Sequence, residues 1–152
     1  MEYYRHTQPG HLMRVLLAPG LLLALAMAVV LPAPAPVGRN IGIAMVLFTL
    51  VTLILFHSLT VIVSDSEVAI RFGPGLIRKT LPLDAIQTCR AVTNPWYYGW
   101  GIHLTRNGWL YNVSGFSAVE VTLRDGKKYR IGTDAPAQLE AALLSRGVRA
   151  AA

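Results

Sequence analysis

The chain has 152 residues, 53% of them hydrophobic, with 14 Lys/Arg against 8 Asp/Glu and a formal net charge of +6; that leaves room for one modest domain plus a little more. The positive balance does not select nucleic acid, because basic and acidic residues are interspersed apart from a short Lys127-Lys128-x-Arg130 cluster, and no nucleic-acid-binding motif accompanies them. Cys89 is alone, which excludes an intrachain disulfide and a cysteine-based zinc cluster and fits a reducing compartment.

Charge is distributed in two blocks. Between His11 and Ser64 only Arg14 and Arg39 are charged, whereas residues 60–152 carry eleven Lys/Arg and seven Asp/Glu, a net of +4. The first block therefore reads as membrane and the second as water-facing. Residues 1–14 form a polar lead, followed by an uncharged run from Val15 to Leu31 that Leu12 and Met13 extend. At about 1.5 Å per residue this reaches the length of a bilayer span, with Pro19-Gly20 as a place for a kink. A secretory signal peptide is the rival reading, opposed by the length of the run and by a second span after a short loop.

That loop, Leu31-Pro-Ala-Pro-Ala-Pro-Val-Gly-Arg-Asn40, favours an extended polyproline conformation. Ile41 to Thr60 then supplies about twenty residues without a formal charge, and the two spans, about 12–31 and 41–59, make a helical hairpin. Arg5 and Arg14 before it, with Arg71, Arg78 and Lys79 after it, outnumber Arg39 in the connector and place both termini on the cytoplasmic side. Gly20, Ala24 and Ala28 recur every four residues on one helix, and Gly42, Met45, Thr49 and Thr52 follow a three-four spacing on the other. Such faces let backbones approach in lipid, although alanine is also simply common in apolar helices. His57 is the one ionisable group deep in these runs; beside Ser58 and Thr60 it reads as interfacial or bonded to its own helix ahead of a proton relay.

From Leu59 the pattern changes to two-residue alternation. Thr60–Ser64 and Glu67–Phe72 form a hairpin with Val68, Ile70 and Phe72 on one face; Gly73-Pro74-Gly75 reverses the chain into Leu76–Leu81, and Asp84–Val92 is extended. Asn107-Gly108 and Asp125-Gly126 predict two hairpins with type I′ turns, the second with Val119, Val121 and Leu123 inward and Glu120, Thr122 and Arg124 outward. Asp134, Pro136, Leu139, Leu143 and Gly147 outline a C-terminal helix at about 135–146. About eight short strands followed by one helix predict a mainly-β soluble domain over residues 60–152, a bent antiparallel sheet or small barrel, attached to the membrane hairpin of residues 1–59.

The stretch Leu59-Thr-Val-Ile-Val-Ser-Asp-Ser-Glu-Val-Ala-Ile-Arg-Phe-Gly73, then Leu76-Ile-Arg-Lys-Thr-Leu-Pro-Leu-Asp-Ala-Ile86, the Asp125-Gly126 hairpin and the last helix together resemble the bacterial pleckstrin-homology-like domains that follow a pair of membrane helices. The resemblance covers roughly residues 59–146. It implies two nearly orthogonal antiparallel sheets capped by the C-terminal helix, a place at the bacterial inner membrane, and binding or scaffolding rather than chemistry. The loop Ser64-Asp65-Ser66-Glu67 departs from the superfamily's phosphoinositide binders, since acidic side chains repel an inositol phosphate.

The least ordinary composition is Asn94-Pro-Trp-Tyr-Tyr-Gly-Trp-Gly101. Trp96, Tyr97, Tyr98, Trp100 and Trp109 are candidate contacts for lipid or protein, since such rings combine apolar area with a polar handle; the alternative is a loop folded over the barrel end as core. Arg78, Lys79, Arg90 and Arg106 are candidate partners of anionic headgroups, or a solvated strand face. Cys89 with His103, or His103 with Asp84, can be combined only by selecting residues, and the four histidines show no metal-ligand spacing, so no catalytic residue, metal or cofactor is expected. Asn112-Val-Ser114 matches a glycosylation sequon that the predicted cytoplasmic placement excludes. The expected partners are the bilayer and a protein, with neither nucleic acid nor specific phosphoinositides. The alternative role is an oligomeric transport or channel accessory, self-associating through the Gly20/Ala24/Ala28 face.

Overall fold

The computed structural model describes residues 1–30 and 36–151. In chain order they form β1 (Glu2–Pro9), α1 (His11–Val30), α2 (Pro36–Leu55), β2 (Ser58–Ser64), β3 (Glu67–Phe72), β4 (Ile77–Pro82), a 3-10 turn at Leu83–Ala85, β5 (Ile86–Thr93), a second 3-10 turn at Trp96–Tyr98, β6 (Gly101–Thr105), β7 (Gly108–Asn112), β8 (Ser117–Leu123), β9 (Lys128–Gly132), α3 (Pro136–Leu144) and the short β10 (Arg149–Ala150). Two apolar helices are thus followed by mostly β structure and a C-terminal helix.

The first departure from expectation is β1. The polar lead is a strand, paired antiparallel to β2 from Glu2↔Ser64 to Pro9↔Ser58. Its inward positions explain why alternation does not reveal it. Tyr4 packs on the core, but His6 reaches Asp134 at 2.5 Å and Gln8 donates to the Ser114 carbonyl at 2.9 Å, so the buried side is held by polar contacts. Residues 1–59 are therefore not a unit apart from the β domain. The helical hairpin is inserted between two strands that pair with each other.

Both α1 and α2 are long and apolar enough to cross a membrane. The contact between them uses part of the expected small-residue faces. A Cβ built on Gly42 would meet the Ala28 amide nitrogen at 2.7 Å and the Ala24 carbonyl oxygen at 2.9 Å, so at this crossing the two backbones approach closely. Ala24 and Thr49 are buried, whereas Gly20 has open space around it and Met45 is exposed. Thr52 donates to the Phe48 carbonyl of its own helix. Of the predicted connector, residues 31–35 lie outside the described residues, and residues 36–40 are the first turn of α2 rather than an extended link.

A first sheet has the order β1-β2-β3-β4, antiparallel throughout; a second has the order β10-β5-β8-β9-β7-β6. The β6–β7 hairpin lies beyond β9, with β7 parallel to it, so the β5, β8, β9 meander is extended on one side by an insertion. Val61, Val63, Val68, Ile70 and Phe72 face Val119, Val121, Ile131 and Tyr111 in one apolar core, which Leu139 and Leu143 of α3 complete. Burial of such side chains is the main stabilising term.

The two hairpin turns join the expected strands with a different geometry. Type I′ needs positive φ at both central residues, yet among the described residues only glycines have positive φ. Thr105 pairs with Gly108, so the turn residues are Arg106 and Asn107, and Gly108 takes the left-handed position after them. Likewise the Gly126 amide donates to the Leu123 carbonyl, making Arg124 and Asp125 the central pair. A third difference is Glu120, predicted to face solvent but only 3% exposed.

Candidate functional site

The two strand–helix passages define one end of the β domain. The Gly10 amide donates to the His57 carbonyl at 2.7 Å, and the Gly73 amide to the Ser58 carbonyl at 2.9 Å. A side chain at Gly10 would meet the Phe56 and His57 carbonyl oxygens, and one at Gly73 the Ile54 and Leu55 carbonyls. Phe56 stacks edge-on against Phe72 with centroids 5.3 Å apart, which ties the last turn above α2 to the core. His57 donates from Nδ1 to the Ile54 carbonyl at 2.9 Å, the bonding to its own helix expected for it.

The aromatic segment lies at this same end. Gly101 approaches Met13 in the first turn of α1, and the Gly115 carbonyl, beside Gln8, accepts from Trp100 Nε1 at 2.9 Å. Trp100 also packs on Phe116. The rings divide into two groups. Trp96 and Tyr97 are 77% and 67% exposed and stack edge-on at 6.1 Å, whereas Tyr98 and Trp100 are half-buried. Trp109 lies on β7 opposite Leu104, towards the other end of that strand.

Tyr98 covers a buried ion cluster. Glu120 accepts from Arg130 Nε at 2.8 Å and from Arg90 Nη2 at 3.0 Å; Arg130 also donates to Asn94 Oδ1 at 3.0 Å and lies 5.7 Å from the centroid of the Tyr98 ring. Burial alone would push the Glu120 carboxyl up, but the two guanidinium groups outweigh it and hold it below the usual carboxylate range. The cluster fixes the start of the aromatic segment, because Asn94 is the residue through which β5 enters it. Alternation cannot reveal Glu120, since its outward placement on β8 is correct and the covering comes from a distant loop.

The four basic candidates are not brought together. Arg90 belongs to the Glu120 cluster, Arg106 sits in the β6–β7 turn, and Lys79 points inward with its amine 5.5 Å from the Tyr129 ring centroid. Arg78 alone is on the outer face of the first sheet near the helices, opposite Arg71. Sequence reasoning gave Arg71 no role beyond orientation. The signal was present, since a hairpin turning over Gly73 to Leu76 pairs residue 71 with residue 78.

Cys89 is fully buried, and burial, with the nearby Glu140 carboxylate, pushes its thiol up to about 11. It lies on β5, while His103 lies on β6 at the far side of the same sheet, with β8, β9 and β7 between. Four strand spacings make roughly 19 Å, beyond any thiol–imidazole hydrogen bond. His103 instead bonds to the Tyr98 carbonyl and steadies the aromatic turn. Among the described residues no group of three His, Cys, Asp or Glu side chains is placed to hold a metal ion. The acidic β2–β3 turn lies at the end away from the helices, where Asp65 accepts from Tyr3 at 2.7 Å and from Arg146 at 3.2 Å.

No family model matches this chain, and no curated protein matches it.

Proposed function

We propose that this protein is a non-enzymatic binding or scaffolding module, held at the inner face of a bacterial membrane by α1 and α2, that presents a pleckstrin-homology-like β domain to protein partners or lipid headgroups in the assembly of a membrane complex. The carrying observation is the double junction: paired strands β1 and β2 each continue into one of the two apolar helices. A domain joined in this way keeps one end against the headgroups. Confinement to a surface also raises its effective concentration towards other membrane proteins, so weak contacts suffice.

The pleckstrin-homology-like reading rests on two antiparallel-rich sheets around one core followed by a helix. Cytoplasmic placement rests on the basic residues that flank the helices. The exposed pair Trp96 and Tyr97 is the best candidate contact, because it stands at the helix end of the domain on a turn braced by Asn94, His103 and Trp100. Placing a photoreactive amino acid at position 96 or 97 of the full chain, in native membranes, is expected to give discrete protein adducts that the same probe at Arg124, at the opposite end, does not give. Identical adducts from all three positions, or none from 96 and 97, would remove the reading.

A further inference from the structure

Across the outer face of the first sheet, the strand registers align Thr7 with Thr60, Thr60 with Arg71 and Arg71 with Arg78. This row lies just beyond the helix junction, where Pro9 pairs with Ser58 and the Gly73 amide bonds to the Ser58 carbonyl. Arg5 sits one step further out on β1. Together with the Gly73–Gly75 wall, Arg5, Thr60, Arg71 and Arg78 line a shallow cleft of about 360 Å³. Two hydroxyls, Thr7 and Thr60, are bonded to each other at 2.9 Å along its edge.

Like charges directly opposite on neighbouring strands destabilise a sheet. Among the described residues no acidic group relieves them. Glu2 reaches only Arg5, at 3.5 Å; Asp65, Glu120, Asp125 and Asp134 are paired elsewhere, and Glu140 accepts from the Ala91 amide. Glu67 stands at the opposite end of β3, where it pairs with Pro82, and Asp84 lies beyond it in the following 3-10 turn. Among the described residues neither Arg71 nor Arg78 makes an ion pair or side-chain hydrogen bond. An external anion of phosphate geometry would satisfy both guanidinium groups. The β3–β4 turn beside them backs onto the last turn of α2 and carries Leu76, 78% exposed, at its tip.

We propose that Arg71 and Arg78, with Arg5 and Thr60, form a binding site for the phosphodiester headgroup of an anionic phospholipid, with Leu76 dipping among the acyl chains beside α2. The proposal rests on the reading that α1 and α2 lie in a bilayer, and it narrows that reading by naming the lipid class and the residues. Phosphatidylglycerol fits, having a single anionic phosphodiester and a neutral head. Phosphatidylcholine cancels that charge with its own cation.

The full chain, purified in an uncharged detergent, can be titrated with short-chain phosphatidylglycerol, with phosphatidylcholine of equal chain length and with inorganic phosphate, and lipid adducts followed by native mass spectrometry alongside thermal unfolding. Phosphatidylglycerol is expected to bind at least ten-fold more tightly than phosphatidylcholine and to raise the melting temperature. Arg71→Ala/Arg78→Ala is expected to lose at least five-fold in that affinity, while melting no lower than the parent without lipid, because it removes a repulsion. The charge-matched Arg124→Ala/Lys127→Ala at the opposite end is expected to bind as the parent does. If the double variant does not fold, Arg78→Gln provides the same comparison with one charge removed. Equal binding of the two lipids, an equal loss in the Arg124/Lys127 variant, or equal stabilisation by inorganic phosphate would each overturn the proposal. Should it fail while positions 96 and 97 still give protein adducts, the scaffolding reading stands and only the lipid site is lost.

Discussion

The carboxylate of Glu120 on β8 meets Arg130 on β9 and Arg90 on β5, with Glu120 and Arg130 3% and 5% exposed. Removing one member of such a buried pair leaves the other as an uncompensated charge, which costs about 3–5 kcal/mol. Glu120→Ala is therefore expected to lower the unfolding free energy of the full chain by that order in chemical denaturation, whereas replacing Glu120 and Arg130 together by Leu and Met costs less. The same group supplies an acid dependence. Its folded value is depressed, so its contribution is fully present above the ordinary 4.5 and is lost as the pH falls through the depressed value. The fall in melting temperature between pH 5 and pH 3 is expected to be smaller in Glu120→Gln than in the parent. A parent and variant with parallel curves would remove Glu120 from the acid response.

At the level of elements, Gly20 and Gly42 lie in two apolar helices of equal length and have opposite surroundings. A methyl group on Gly20 meets nothing, whereas one on Gly42 meets the backbone of α1 at Ala28 and Ala24. Gly20→Ala is expected to be neutral or slightly stabilising, as alanine is a better helix former than glycine. Gly42→Leu is expected to drive the helices apart and lower the melting temperature in detergent by several degrees; equal melting of the two variants would show that the close approach contributes nothing. The helices, the hairpin pairings and α3 were legible because apolar runs and glycine turns are written locally. The partner of Gly42 was half legible, since spacing gives a helix face but not its rotation towards a neighbour. Turn geometry was less so: Asn107-Gly108 suits either a left-handed pair or a right-handed turn closed by glycine, and strand register decides between them. Strand β1 was hidden because His6 and Gln8, on its inward side, are held by hydrogen bonds to residues more than a hundred positions away.

For the whole molecule the consequence of β1 is that the β domain has two stems. A domain on one flexible stem swings through the reach of its linker. Here Gly10 is bonded to His57 across the stems, and Phe56 is packed on Phe72, so each passage is held by the other and by the core. A spacer placed after Leu59, the boundary that the sequence indicates, would fall inside β2 and slip its pairing with both β1 and β3. Spacers belong instead between Gly10 and His11 and between Phe56 and His57. Six Gly/Ser residues reach about 13 Å, enough to release the domain from a fixed distance to α1 and α2. With one spacer the other stem still restrains the domain, and crosslinking from positions 96 and 97 is expected to fall only in part. With both, the melting of the β domain is expected to stay near that of the parent while crosslinking falls to the level of the Arg124 control. Full crosslinking by the doubly extended chain would mean that the stems serve as a tether alone and that the orientation they impose has no bearing on what Trp96 and Tyr97 meet.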